Sequence, residues 1–337
     1  MILVTGGTGL LGSHLLFSLL KNGAKVRAIH RSQSNLDAVK KVFGYFATAE
    51  EASKLYTKIQ WFEANINDIP ALTEAFEGVE KVYHCAARID FKSKNFKQLK
   101  KINAEGTANI VNLCLLFLVK KLCYASSIAT LGETLDDSLI TEENYYNHDA
   151  DNSVYAITKH SAEMEVWRGT QEGLDAVIVN PGVIFGSGFW KSGSGIILTI
   201  GARGIPVYTL GSIALVDVLD VVQIMIQTME SSITKNRFIL VGKNCSYQEL
   251  MTQFATAFNN KHPQKAIAKW KLNLANKIDW FLHTFFRTTR KLSKSTINSL
   301  YSKKHYSSKK IESTLNFEFT PFKKTLSRVV GDYKSES

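Results

Sequence analysis

Short apolar runs alternate with amphipathic stretches from the first residue onward. Ile2–Thr5, Lys25–His30, Ile59–Glu63, Lys81–Cys85, Leu122–Ala125 and Ala176–Asn180 are brief and rich in Val and Ile, which predicts buried strands. Between them, Leu10–Asn22, Asp68–Phe76, Asn103–Phe117 and Ser153–Glu172 carry helical spacing. Strict alternation of the two implies right-handed crossovers and a parallel sheet with helices on both faces, a doubly wound α/β fold.

The texture changes after residue 180. Gly186–Gly195 is a glycine-rich run holding Phe189 and Trp190, which predicts a loop near a site. Phe238–Val241 suits a strand and Tyr247–Phe258 a helix. From Ala266 to Arg290, Trp270, Leu274, Ile278, Phe281/Leu282 and Phe285 recur on one helical face. The expected organisation is therefore a nucleotide-binding core over residues 1–180. Residues 181–337 then form mainly a smaller substrate-binding region, with some chain returning to the core and basic helices near the C-terminus.

Charge sharpens that division. Of the 41 Lys/Arg and 30 Asp/Glu, residues 261–337 hold 17 and 5, a balance of +12, leaving 24 and 25 for the rest. A near-neutral body thus carries a basic C-terminal quarter. That quarter is expected to be a solvated face of ordinary helices, with attraction to anionic lipid, nucleic acid or an acidic partner as the alternative. Residues 266–290 could accordingly pack on the core or lie on a membrane surface. The four cysteines show no CxxC or Cys/His ligand spacing, so neither a disulfide nor a metal site is expected. No stretch approaches about 20 uninterrupted apolar residues, and the first apolar run leads straight into a glycine turn; a cytoplasmic protein is expected.

That turn is Thr5-Gly6-Gly7-Thr8-Gly9-Leu10-Leu11-Gly12, between the first strand and the first helix. A tight turn needs positive φ, close approach to a pyrophosphate excludes a Cβ, and the helix N-terminus supplies free N–H groups. In this context the glycines predict a Rossmann-type dinucleotide site. An NAD site usually places an acid about 20 residues on, to hold the ribose hydroxyls. Here Arg31 and Ser32 stand there, with no carboxylate before Asp37. An Arg suits a 2′-phosphate through charge-assisted bonds, so NADP(H) is expected over NAD(H).

Tyr155 and Lys159 fall four apart on one helical face. A free phenol, with a pKa of about 10, exchanges protons poorly at neutral pH; a neighbouring ammonium favours the phenolate. Ser127, ending the fifth strand, could bond both the phenol and a substrate oxygen. Together they read as a proton-transfer set.

These residues resemble the active site of the extended short-chain dehydrogenase/reductase family. Ser127 stands five residues before Gly132, and Tyr155 and Lys159 match the family's YxxxK. His84-Cys85-Ala86-Ala87, Asn103-Ala104-Glu105-Gly106-Thr107 and Asn180-Pro181-Gly182-Val183 match further, over roughly residues 1–220. The resemblance implies that Asn65 and Ile66 flank the adenine, Ala86 and Ala87 the ribose and phosphates, and Pro181, Gly182 and Val183 the nicotinamide. It also implies that Lys159 holds the nicotinamide ribose. Asn65 departs from the commoner Asp.

Within the family three readings compete. Ile128 and Ala129 follow Ser127 where a dehydratase needs an acid/base pair, which sets that activity aside. A sugar-nucleotide epimerase usually has an Arg seven residues before the position of Asp220; this chain has Ile213, although Arg203 or Arg88 could serve. The favoured reading resembles dihydroflavonol reductases and 3β-hydroxysteroid dehydrogenases, acting on an apolar carbonyl or alcohol. Its expected pocket draws on Arg88, Phe91, Ile128, Asn180, Phe185, Phe189 and Trp190, or those aromatics fill a core. A non-catalytic NADP-sensing or RNA-binding relative is the remaining alternative; the intact Ser127/Tyr155/Lys159 set argues against it and against nucleic acid as a partner. The family also leads one to expect a homodimer.

Overall fold

A computed structural model describes residues 1–134, 136, 138–286 and 294–336; the side chains of 280–286 and 295 are left undescribed. Strands β1 (Ile2–Thr5), β2 (Val26–His30), β3 (Gln60–Glu63), β4 (Lys81–His84), β5 (Lys121–Ala125) and β6 (Ala176–Pro181) match the apolar runs to within a residue or so at each end. Between them lie α1 (Leu10–Lys21), α2 (Asp37–Gly44), α3 (Ala49–Tyr56), α4 (Ile69–Ala75), α5 (Phe96–Lys100), α6 (Gly106–Leu116) and α7 (Val154–Gln171). Helices α2 and α3 occupy a stretch that apolar periodicity left unassigned. Each spans only eight residues, too few for a period to stand out. Their local signal is Thr48, whose hydroxyl accepts the Glu51 N–H and caps α3.

The helix expected from Asn103 in fact starts at Phe96. It runs as α5, passes through one π turn at Lys101–Glu105, and continues as α6. Wide turns of this kind often sit beside functional sites.

The chain continues as β7 (Val183–Phe185), α8 (Gly195–Ala202), β8 (Val207–Tyr208), β9 (Ser212–Asp217), α9 (Val218–Glu230), β10 (Asn236–Leu240), β11 (Lys243–Ser246), α10 (Tyr247–Ala257) and β12 (Lys265–Ala266). Helices α11 (Lys269–Phe286), α12 (Lys294–Tyr301), α13 (Lys309–Leu315) and α14 (Phe322–Ser335) complete it.

The main sheet has seven parallel strands in the order β10-β6-β5-β4-β1-β2-β3. Its order reverses between β1 and β4, and crevices at such points receive ligands at the carboxyl ends of the strands. One core lies on the α1/α9 face and a second on the α6/α7 face, so the inner strands are buried on both sides. This is the doubly wound Rossmann architecture.

Residues beyond β6 build a smaller lobe around β11-β9-β7 and the two-stranded β12-β8, while β10 returns to the edge of the main sheet beside β6. The lobe has its own apolar core from α8, β9, α10 and α14. Helix α14 is fixed by charge as well: Arg328 grips both oxygens of buried Asp217 at 2.7 Å, and Thr325 donates to the same carboxylate. The lobe therefore meets the main sheet at its carboxyl edge, beside the glycine turn.

Candidate active site

The phosphate turn is built by exclusion. Gly6 has φ +69°, and a Cβ there would come within 2.6 Å of the Ala86 nitrogen. At Gly12 a Cβ would overlap the Gly6 carbonyl, whereas at Gly9 it would meet little protein. Gly9 N–H donates to Gly6 O at 3.0 Å, and Gly9 caps α1 without a side chain, so the first N–H groups of Leu10 and Leu11 stay available to an anion. Gly6 therefore sits against Ala86, bringing the turn and the β4 loop together.

Beyond β2, Arg31 and Ser32 are exposed, and the Arg31 guanidinium makes no ion pair or hydrogen bond with the described residues. Asn65 is exposed and its side chain accepts the Asn67 N–H at 3.1 Å, while Ile66 is buried against Gly106. The open anion cradle and exposed Ala87 lie at the carboxyl edge of the sheet, and a dinucleotide fits these residues.

His84, at the end of β4, ties the turn to α6. Thr107 Oγ1 donates to Asn103 O, so it accepts the His84 Nε2–H at 2.9 Å. Thr5 Oγ1 accepts the Ala86 N–H and donates to His84 Nδ1 at 2.6 Å. This accounting assigns the neutral Nε2–H tautomer. Burial agrees, pushing the imidazole down to about 3.

Tyr155 opens α7, whose cap Ser153 accepts the Ala156 N–H at 3.1 Å. Its phenol faces Ser127, and Phe91 stands edge-on to its ring at 5.5 Å. Burial pushes the phenol up to about 12, against the opposing effect of the Ser127 hydroxyl. Lys159, one turn on, is fully buried. It donates to Tyr124 OH at 2.6 Å and Ala125 O at 2.7 Å rather than to Tyr155. Two of its three N–H bonds are taken, leaving one. Burial lowers the amine to about 7, opposed by the Glu163 carboxylate.

Glu163 lies one turn further along α7, and no sequence motif marks it. It is inaccessible to solvent, yet it accepts from Ser126 (2.7 Å), Thr130 (2.8 Å), Asn180 (3.0 Å) and Arg237 (3.2 Å). Asn180 also donates to Ser127 O at 3.1 Å, and its own Oδ1 has no partner among the described residues. The sequence clue available was spacing alone: Tyr155, Lys159 and Glu163 share one face of α7. Asn103 was equally hidden in function. Its carboxamide brackets the Arg88 backbone, accepting from N (2.8 Å) and donating to O (3.0 Å), and reaches Thr158 on α7 (3.1 Å).

The expected substrate pocket is only partly assembled. Phe91 lies exposed over Tyr155, and Ile128 follows Ser127 in a short 3₁₀ turn. Arg88 pairs with Asp90 at 3.4 Å. Phe185 is a correction: it is buried in the lobe core, stacked at 5.9 Å on Phe254 and edge-on to Phe322 at 5.6 Å. Trp190 packs on Tyr45 and Tyr333, so it joins α2 and α14 instead of facing an open pocket. Phe189, with φ +57°, shapes the loop before α8. Asn180 is fully buried and serves the Glu163 cluster. Pro181, Gly182 and Val183 bridge β6 to β7, where a Cβ on Gly182 would come within 2.6 Å of Ala214 O. Ile213 is buried in the lobe core, so no guanidinium stands at that position on β9.

The profile of the NAD dependent epimerase/dehydratase family matches residues 2–242. A putative dihydroflavonol 4-reductase of Synechocystis sp. is 29% identical over 274 residues, covering 79% of this chain and 75% of its own. Sterol demethylase protein B of Methylococcus capsulatus is 26% identical over 268 residues, covering 79% and 76%. The UDP-glucose 4-epimerase of Thermotoga maritima, solved with UDP-glucose, superposes with a TM-score of 0.77 at 19% identity, over 99% of each chain; that likeness concerns the fold.

Proposed function

The chain belongs to the NAD dependent epimerase/dehydratase family and is an NAD(P)-dependent enzyme of the extended short-chain dehydrogenase/reductase type; from that premise we propose that it reduces an apolar carbonyl with NADPH, Tyr155 acting as the acid. One observation carries this reading: the Tyr155 phenol, facing Ser127, sits under an exposed Phe91 and keeps its proton through neutral pH. A protonated phenol is what reduction requires, since the carbonyl oxygen must gain a proton as the carbon gains a hydride.

When bound, the nicotinamide supplies that hydride to the carbonyl carbon. The glycine turn and the α1 N-terminus would hold the pyrophosphate, and Arg31 with Ser32 the 2′-phosphate. Lys159 would offer its remaining N–H to a ribose hydroxyl. Ser127 positions the substrate oxygen, Tyr155 passes its proton to it, and the Lys159 ammonium stabilises the phenolate left behind. Phe91 and Ile128 supply an apolar rim. The names of the two sequence relatives, a dihydroflavonol reductase and a sterol demethylase protein, support a substrate of that character. Burial of Ile213 disfavours a sugar diphosphate held in the usual epimerase manner.

Titrating the purified protein with both reduced nicotinamides tests the cofactor half. We expect NADPH to bind at least about ten-fold tighter than NADH, and Arg31→Leu to abolish the difference, as removal of one charge-assisted phosphate contact would. Tighter binding of NADH to the wild type would refute it. NADPH consumption with flavonoid, steroid and sugar-nucleotide carbonyls tests the substrate half; turnover of sugar nucleotides alone would overturn the apolar assignment.

A further inference from the structure

Helix α11 ends the ambiguity that its amphipathic pattern left open, because its apolar stripe faces outward. Trp270, Leu274 and Ile278, spaced by one turn each, are 63%, 51% and 53% exposed. The opposite face, with Leu272, Ala275 and Asn276 half-buried, is the one turned towards the lobe, where α12 packs on α11. Tyr301 on α12 anchors the leader of α11 by donating to Ile267 O at 2.6 Å. The stripe is thus held out from a fixed support.

Its surroundings are cationic. Lys269, Lys271 and Lys277 flank it, all exposed, and no acid occurs between Lys269 and Ile278. Lys271 lies beside the Trp270 ring at 5.6 Å. The helix also opens the most basic part of the chain, residues 261–337 at 17 Lys/Arg to 5 Asp/Glu. Among the described residues no helix is long and apolar enough to cross a membrane.

We propose that α11 docks in the interface of an anionic lipid bilayer, with Trp270, Leu274 and Ile278 entering the acyl boundary and Lys269, Lys271 and Lys277 meeting the headgroups. Charge selects this occupant. A second copy would bring the same +12 quarter against it and be repelled, whereas an anionic headgroup layer complements it. An indole beside lysines is also the side-chain pairing that settles at the headgroup level. The helix would lie in the plane of the bilayer, placing the lobe, and with it any apolar substrate dissolved there, next to the lipid.

Flotation of the full chain with vesicles at 0.1 M salt tests this, comparing phosphatidylcholine alone with a 3:1 mixture of phosphatidylcholine and phosphatidylglycerol. The mixed vesicles are expected to carry at least about ten-fold more protein than the neutral ones, from a few-fold gain per lysine. The variant Trp270→Ser/Leu274→Gln/Ile278→Gln should lose at least about ten-fold of that binding. The variant Lys269→Gln/Lys271→Gln/Lys277→Gln should lose the preference for the anionic lipid. All six positions are exposed, and unchanged thermal melting of each variant establishes that it folds. Wild-type protein left in the supernatant with both vesicles would overturn the proposal. So would an apolar variant that floats as the wild type does, or one that merely dissolves a concentration-dependent dimer.

Discussion

Lys159 and Glu163 stand one turn apart on α7, both out of reach of solvent, and the carboxylate is the better supported of the two. Four donors hold it, and the carboxylate opposes the loss of the Lys159 proton that burial favours. With its amine at about 7, Lys159 is charged below neutrality and neutral above it. Glu163→Gln removes the opposing charge, so the amine should release its proton at lower pH. The alkaline limb of the turnover profile should then move down by about one unit, and Glu163→Asp should restore it in part. An unshifted limb would leave Glu163 a purely structural residue. Such a role was invisible beforehand because its partners lie up to 74 positions away, and a lone Glu in a helix resembles any surface acid. Tyr155, Lys159 and the glycines were legible as candidates because their spacings of three and four are local, and the structure places Tyr155 and Lys159 one turn apart on α7.

At the level of elements, the β4 loop, the π turn and α7 form one unit. Asn103 clasps the Arg88 backbone and Thr158 together, which sets where Phe91 lies over Tyr155. Asn103→Ala would strand these buried groups; the expected loss is about 1–3 kcal/mol in urea unfolding, together with weaker substrate binding at an unchanged cofactor affinity. Equal losses of substrate and cofactor binding would mean the loop is held some other way. Strand positions emerged cleanly from apolar runs because a sheet buried on both faces needs continuous Val and Ile. The helix start at Phe96 did not, since a π turn interrupts the 3.6-residue period there. Aromatic side chains misled for a similar reason: Phe185 and Trp190 look alike as pocket or core until their neighbours are known.

Across the whole molecule, two buried imidazoles link the fold to pH. His84 joins β1, β4 and α6, while His14 sits on the buried face of α1 with no partner for Nε2 among the described residues, and burial lowers them to about 3 and about 4. An unfolded chain takes up these protons near 6.5, so below that pH the unfolded state binds more of them. Stability should fall as pH drops from 6.5 towards 4, by about 1.4 kcal/mol per unit for each histidine. His14→Phe should flatten this slope in urea melts; a slope equal to that of the wild type would assign the acid sensitivity elsewhere. Lys159 acts in the other window: between about 7 and 10.5 only the unfolded state keeps its proton, which makes stability rise with pH.

The proposed reduction turns on the proton held by Tyr155. The most direct measurement is single-turnover reduction of an apolar carbonyl with NADPH deuterated at the transferred position, comparing the wild type with Tyr155→Phe. The wild type is expected to deliver deuterium to the carbonyl carbon. The variant should do so at least about a hundred-fold more slowly, the usual contribution of a general acid, while binding NADPH as before. Deuterium transfer at the same rate in both proteins would contradict the assignment of Tyr155 as the acid.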